Sequence, residues 1–138
     1  MVVLEISLFH LICCFFGACI IYLNLTFSQN GNQEFILYTI YSFIIIISYF
    51  LFGYKVIDDY NTTLKTHMQI WIISVILVLI SIVDVWMACM LNLSFQPLSA
   101  LFYDYLTNER FICIITSLLP SILMYIGYIY KLIKESHM

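Results

Sequence analysis

The sequence predicts an all-α integral membrane protein: four transmembrane helices in an antiparallel bundle, with a short interfacial or re-entrant helix between spans three and four. The chain of 138 residues is 64% hydrophobic and only 9% charged, whereas a soluble domain carries about 25% charged residues. Its apolar residues fall into four continuous runs, each long enough for a helix to cross the hydrocarbon. These runs lack the alternating pattern of barrel strands, so helices are the structure that satisfies their backbone in lipid.

The predicted spans cover about residues 2–27, 35–54, 68–91 and 111–130 and make residues 1–138 a single membrane domain. The first run lacks the positively charged start of a signal peptide, so we expect it to be retained as a span. Asn30-Gly31 is a strong turn signal and predicts a hairpin of spans one and two. Lys and Arg are concentrated in the second connector and the C-terminal tail, which predicts that both termini are cytoplasmic.

The connector before span four predicts a short helix at the outer interface or dipping into the membrane. Its apolar residues recur at helical spacing, and Pro97 suits a first helical turn. Thr107 is the predicted N-cap of span four, with Glu109 in the first turn. Two interpretations stay open for this helix, a plain amphipathic connector and a functional lid.

Span three carries the residue of greatest interest, Asp84, the only carboxylate well inside an apolar run. An ionisable group at membrane depth is costly and marks a functional candidate. A stripe of mostly small or polar residues that recur with a seven-residue period contains it and predicts the side that faces the bundle or another subunit. The stripe consists of His67, Ile70, Ser74, Leu77, Ser81, Asp84, Ala88 and Leu91. Asp84 then either hydrogen-bonds to Ser81 and neighbouring tyrosines, or serves ion passage, proton sensing or ligand binding.

Span two offers partners for that carboxylate. Tyr41, Ser42 and Tyr49 lie on one helical face, and the first two are too deep for an interfacial aromatic belt. A buried tyrosine hydroxyl needs a hydrogen-bond partner. We therefore expect Asp84 to accept from this face.

Span one contains His10 close to Cys13, Cys14 and Gly17. Histidine and cysteine are metal ligands, but no second intramembrane histidine or CxxC pair accompanies them. The preferred interpretation is therefore a packing face of small residues with a hydrogen-bonded His10 and no metal. His10 is expected in the opposite leaflet from Asp84. All five cysteines lie in apolar runs, which predicts no structural disulfide.

Span four has Pro120 at its centre, which removes one helical hydrogen bond and frees the carbonyl of Thr116. Thr116, Ser117 and Ser121 surround the break and are expected to satisfy it. Pro120 is interpreted either as a gating hinge or as a feature of shape.

The functional prediction depends on the function classes that the sequence excludes and on the charged residues that could bind a partner. No catalytic set, phosphate loop or basic patch is present in the sequence, so we expect neither an enzyme, nor a cofactor, nor nucleic-acid binding. The preferred hypothesis is a membrane-embedded anchor, sensor or interaction subunit that self-associates or binds a cytoplasmic protein; the alternative is a homo-oligomeric ion channel or proton-sensitive pore that uses Asp84. The predicted docking surface is Lys55, Asp58, Asp59, Lys65, Lys131 and Lys134.

In size, span number and its Ile-, Tyr- and Asn-rich composition the chain resembles two groups of small bacterial membrane proteins. One group is the immunity proteins against pore-forming bacteriocins, and the other is the membrane subunits of anti-phage systems. The resemblance implies a setting in the bacterial cytoplasmic membrane, in toxin immunity or defence. It implies no residue roles.

Overall fold

The computed structural model describes residues 2–27, 31–56, 64–102 and 108–136. These residues are almost entirely helical and contain no strand. The Asn30-Gly31 turn signal, Asp58, Asp59 and Thr107 lie wholly or partly outside the described residues. The helices are α1 (Val2–Phe27), α2 (Gly31–Val56), α3 (Leu64–Val83), α4 (Val85–Leu91), α5 (Gln96–Phe102) and α6 (Glu109–Ser136).

Three helices, α1, α2 and α6, are long and apolar enough to cross a membrane. In α3 the apolar stretch His67–Val83 is shorter. The prediction that residues 68–91 form one continuous helix is therefore wrong. The chain breaks at Asp84 and continues as the separate helix α4.

The break has a local cause in Asp84 itself. Its backbone is extended, with φ −144° and ψ 104°. One carboxylate oxygen accepts hydrogen bonds from the backbone N–H groups of Trp86 at 2.9 Å and Met87 at 3.2 Å. Aspartate is among the best N-cap residues because it satisfies N–H groups that a helix start leaves without partners. Asp84 thus ends α3 and starts α4.

Side-chain contacts give the relative direction of neighbouring helices. Tyr41 of α2 donates to the carbonyl of Cys13, whereas Phe52, farther along α2, stacks on Phe9; α1 and α2 therefore run in opposite directions. Ser121 of α6 donates to the carbonyl of Ile70, whereas earlier residues of α6 contact later residues of α3. Helices α3 and α6 therefore also run in opposite directions.

Glycines bring α2 and α6 together near their C-terminal halves. A Cβ on Gly53 would collide with the carbonyl oxygen of Met124, and one on Gly127 with that of Phe50. Close backbone approach at small residues is how membrane helices gain packing contacts in lipid. Near the same end, Lys134 donates to the Tyr54 hydroxyl at 3.2 Å.

Helix α6 stays continuous through the fully buried Pro120. The hydroxyls expected to satisfy the freed Thr116 carbonyl donate elsewhere. Thr116 bonds to carbonyls of its own preceding turn, and Ser121 bonds to Ile70 on α3 at 2.6 Å. At the start of α6 the side chain of Asn108 accepts from the N–H of Phe111 at 3.3 Å, so Asn108 acts as a cap there.

The segment from Asp84 to Phe102 starts near one end of the helices and then enters their interior. Helix α3 is about 30 Å long, and just beyond its end the carbonyl of Val85 lies 3.9 Å from Cys113 in the second turn of α6. Asp84 is therefore close to the level of the N-terminal end of α6. The chain then reaches the interior, where the carbonyl of Leu91 contacts His10 and the hydroxyl of Ser94 contacts Tyr49. His10 and Tyr49 each lie about 10 Å or more from the nearer end of their own helix.

Candidate functional site

A polar cluster is buried where α1 and α2 meet the turn between α4 and α5. We call it the His10 cluster and define it by His10, Cys14, Tyr49, Asn92 and Ser94. All five side chains are buried. The members come from three separate parts of the chain, so only the folded protein brings them together.

His10 forms the centre of the cluster. Its Nε2 lies 3.1 Å from the carbonyl oxygen of Leu91, and its Nδ1 lies 2.6 Å from the hydroxyl of Tyr49. A carbonyl only accepts, so Nε2 carries the proton and donates to Leu91. In the neutral ring Nδ1 then accepts the Tyr49 proton. This assignment satisfies both ring nitrogens without placing a charge in the interior.

The Leu91 carbonyl explains why polar residues are needed here. Leu91 is the last residue of α4, and the final carbonyls of a helix have no partner within the helix. In an apolar interior each unsatisfied group costs several kcal/mol. His10 satisfies this carbonyl together with the Cys14 thiol, which donates to it at 3.4 Å. The cluster therefore holds the C-terminal end of α4 against α1.

Close backbone packing supports the same contact. A Cβ on Gly17 would collide with the carbonyl oxygen of Leu93. Phe95 is fully buried and packs on the ring of Tyr49, with centroids 5.1 Å apart. The turn after α4 is thus fixed by shape as well as by hydrogen bonds.

A second group of polar side chains joins α3, α4 and α6. Ser81 lies 3.3 Å from the hydroxyl of Ser117 and 3.6 Å from the sulfur of Cys113. Cys113 in turn lies 3.6 Å, sulfur to sulfur, from Cys89 of α4. The two serines connect α3 with α6, and the contact between the two thiols packs α4 against α6 beside them.

A cavity of about 330 Å³ lies beside this group. Its wall is mainly apolar and includes Trp86, Met90 and Ile112. The polar groups on it come from α4, α5, the turn between them and the start of α6, namely Asn92, Gln96, Ser99, Glu109 and Thr116, with Cys89 and Cys113. Its size is at the lower end of the range for small-molecule sites, about 300–1,000 Å³.

Asp84 does not take the partners expected from the sequence. It is exposed and accepts from its own α4 backbone. Tyr49 bonds to His10, Tyr41 to the carbonyl of Cys13 at 3.0 Å, and Ser42 to the carbonyl of Tyr38 in its own helix. The carboxylate and the span-two face are therefore not brought together by these bonds.

The rest of the stripe that contains Asp84 is buried. Ser74 and Ser81 are inaccessible and face α6, and Ala88 is fully buried. His67 packs against the rings of both Tyr125 and Tyr128, with centroids 5.6 Å apart in each pair. The small and polar positions thus serve contact within one chain, while Asp84 and Leu91 at one end of the stripe are exposed.

The predicted docking residues divide between surface and interior. Lys55 and Lys134 are exposed at the C-terminal ends of α2 and α6. Lys131, expected at the surface, is instead buried and lies 3.7 Å from Glu135 one turn on. The side chain of Lys65 lies outside the described residues.

Sequence reasoning missed Asn92 and Ser94, which complete the His10 cluster. It also did not connect His10 with Leu91, which follows Asp84 by one short helix. The available signal was the polar sequence Asn92-Leu93-Ser94 directly after an apolar run. It marks a turn, but it does not reveal that the turn is buried.

The described residues contain no group of three or more His, Cys, Asp or Glu side chains that could hold a metal ion. His10 and Cys14 are close, with Nε2 and Sγ 3.6 Å apart, but their other neighbours are hydroxyl and carbonyl groups. Comparison with protein-family profiles, curated proteins and solved structures finds no match to this chain.

Proposed function

We propose that this chain is a small polytopic membrane protein that works as an anchor, sensor or interaction subunit, through self-association or a protein partner. We further propose four spans, α1, α2, α3 and α6, in an antiparallel bundle with both termini in the cytoplasm. Helices α4 and α5 then form a re-entrant hairpin from the outer side. The resemblance to small bacterial membrane proteins favours a setting in the cytoplasmic membrane, in defence or toxin immunity.

The opposite directions of α1 and α2, and of α3 and α6, support the bundle. The charge distribution supports its orientation, since Lys55 and Lys134 lie at neighbouring helix ends. Irregular backbone at membrane depth is tolerated where protein surrounds it. The contacts of residues 91–95 with His10, Gly17 and Tyr49 meet that condition.

The single observation that carries the interaction role is the exposure of Asp84 on an apolar surface. Its neighbours Val83, Trp86 and Met87 are also exposed. A carboxylate beside large apolar side chains is costly next to lipid and acceptable next to water or a polar partner group. An interface at this edge of the bundle would supply the polar partner and cover the apolar residues.

The test separates the charge of Asp84 from its capping role. Asparagine caps helices as well as aspartate does, so Asp84→Asn removes only the charge. We expect the protein, extracted from its native membrane in polymer nanodiscs, to appear by native mass spectrometry as an oligomer or with a stoichiometric partner. Asp84→Asn should weaken that association by about tenfold, the equivalent of 1.4 kcal/mol.

Glu109→Gln is the matched control, because Glu109 is exposed at the N-terminal end of α6 and its removal takes away the same charge. It should leave the association unchanged. A monomer without any partner would contradict the proposal. Equal weakening by both variants would show that net charge, rather than a contact at Asp84, is responsible.

The exposed position of Asp84 also favours the second candidate, a homo-oligomeric cation channel. Carboxylates from several copies could form the ring that such pores use. Proteoliposomes should then conduct cations, and Asp84→Asn should abolish the flux while Glu109→Gln preserves it. Absence of flux in a correctly sized oligomer would eliminate the channel and leave the interaction role.

A further inference from the structure

Two thiols meet at the wall of the cavity beside α4. The sulfur atoms of Cys89 and Cys113 are 3.6 Å apart. They belong to different helices, α4 and α6, and are separated by more than twenty residues of sequence. A disulfide bond is about 2.05 Å long, so a small movement of α4 toward α6 would bring the sulfurs to bonding distance.

The two cysteines differ in access. Cys113 is buried, with 3% of its surface exposed, and its sulfur also contacts Ser81. Cys89 is partly exposed, and both line the cavity. Cys89 is therefore the thiol that a reagent in the cavity can reach, and Cys113 is the second thiol that would complete the bond.

The cavity limits the kind of oxidant. Its wall is mainly apolar, with amide donors on Asn92 and Gln96 and a carboxylate on Glu109. Such a site suits a lipid-soluble molecule with carbonyl oxygens that accept hydrogen bonds. Membrane quinones have this chemistry and accept two electrons and two protons.

We propose that Cys89 and Cys113 form a dithiol–disulfide centre that is oxidised by a quinone bound in this cavity. Two S–H bonds break and one S–S bond forms. The two electrons and two protons pass to the quinone, which leaves as the hydroquinone. In this proposal Glu109, which lines the same cavity, accepts the first thiol proton and passes it to a quinone oxygen.

This inference does not depend on the proposed interaction role, although a disulfide here would also fix α4 to α6. Because Asp84 caps the start of α4, the oxidation state of the pair would affect the segment next to that exposed carboxylate. The redox test measures quinol and a disulfide, whereas the association test measures an oligomer or a partner, so the failure of one test is distinct from the failure of the other.

The test uses the purified full chain in nanodiscs, reduced and freed of reductant, then mixed with decylubiquinone. We expect one quinol per chain by ultraviolet absorbance and a Cys89–Cys113 cross-linked peptide by mass spectrometry without reduction. Cys89→Ser and Cys113→Ser should each lower quinol formation at least tenfold. Cys19→Ser, at a cysteine of α1 outside the cavity wall, is the matched control and should react as the native chain does.

The test does not depend on the variants alone, because the Cys89–Cys113 cross-link is measured on the native chain. Quinol formation equal in the native chain and in Cys89→Ser would overturn the proposal. A disulfide that joins other cysteines would do the same. Oxidation of the pair by diamide but not by the quinone would overturn the assignment of the oxidant.

Discussion

At the scale of single residues, several polar side chains of this protein donate to backbone carbonyls of another segment, and one of these carbonyls, that of Leu91 at the end of α4, has no partner within its own helix. His10 and Cys14 donate to Leu91, Ser121 donates to Ile70, and Tyr41 donates to Cys13. Each of these bonds joins two different segments of the chain. Polar residues in the apolar helices therefore determine which segments pack together.

His10→Leu should destabilise the protein by about 1–2 kcal/mol, because it removes the Nε2 donor to Leu91 and the Nδ1 acceptor of the buried Tyr49 hydroxyl. The free energy of unfolding can be measured by titration with sodium dodecyl sulfate. Ser48→Ala is the control, since Ser48 bonds only to Ile44 in its own helix. A loss no larger than that of the control would contradict the role assigned to His10.

Gly127→Ala should be more damaging than its single added methyl group suggests. The new Cβ would meet the carbonyl oxygen of Phe50, which is backbone and cannot rotate away. Overpacking of this kind costs about 1–3 kcal/mol. Val75→Ile adds one carbon on an exposed face of α3 and should change the same unfolding free energy little. Equal effects would show that α2 and α6 do not cross closely.

At the scale of elements, the decisive feature is the division of the third apolar run into α3 and α4. One side chain causes it, because the Asp84 carboxylate gives Trp86 and Met87 the acceptors that a continuous helix would supply from its own backbone. The break lets α4 turn into the interior and reach α1. Without it, residues 85–91 would continue along the axis of α3.

Asp84→Ala should therefore lower stability by about 1 kcal/mol through loss of the cap, whereas Asp84→Asn should keep nearly all of it. Asp84→Leu should favour a continuous helix and withdraw Leu91 from His10. Unfolding titrations measure the first two effects. Reactivity of Cys14 toward a small maleimide measures the third and should increase, since Cys14 loses its cover. Unchanged reactivity would indicate that α4 stays in place without the cap.

At the scale of the whole molecule, the exposed surface is dominated by large apolar side chains on the outer faces of the long helices, as expected where lipid is the solvent. The interior contains serines, cysteines, glycines and one histidine alongside aromatic and aliphatic residues. Packing at small residues and interhelical hydrogen bonds replace the hydrophobic driving force, which is absent between helices in lipid.

The topology prediction can be tested by labelling that distinguishes a chain with four membrane spans from a chain with three. In a chain with its five cysteines replaced by serine, single cysteines at Lys55, Arg110 and Ser136 can be labelled in intact cells with a membrane-impermeant maleimide. Four spans place Arg110 outside and the other two positions inside. If α3 does not cross the membrane, Lys55 and Arg110 are labelled alike and Ser136 differently, which would contradict the bundle.

The sequence alone predicted an all-helical membrane protein, and the limits of α1 from its apolar run agree with the structure. It also predicted a helix with Pro97 in its first turn, which is α5. It failed at Asp84, which was treated as a residue inside a span although aspartate before an apolar helix is an N-cap signal. Hydropathy averages over a window, so one capping residue in a long apolar run leaves its total almost unchanged.

What the sequence determined by itself is that lipid is the solvent of the chain and that its structure is helical, because both depend on local sums of side-chain hydropathy and on the backbone's need for hydrogen bonds in lipid. Only the tertiary structure decided which polar groups meet. His10 and Leu91 are far apart in sequence, as are Cys89 and Cys113. Their contact depends on where α4 turns after Asp84, and that path is determined by the packing of all the helices together.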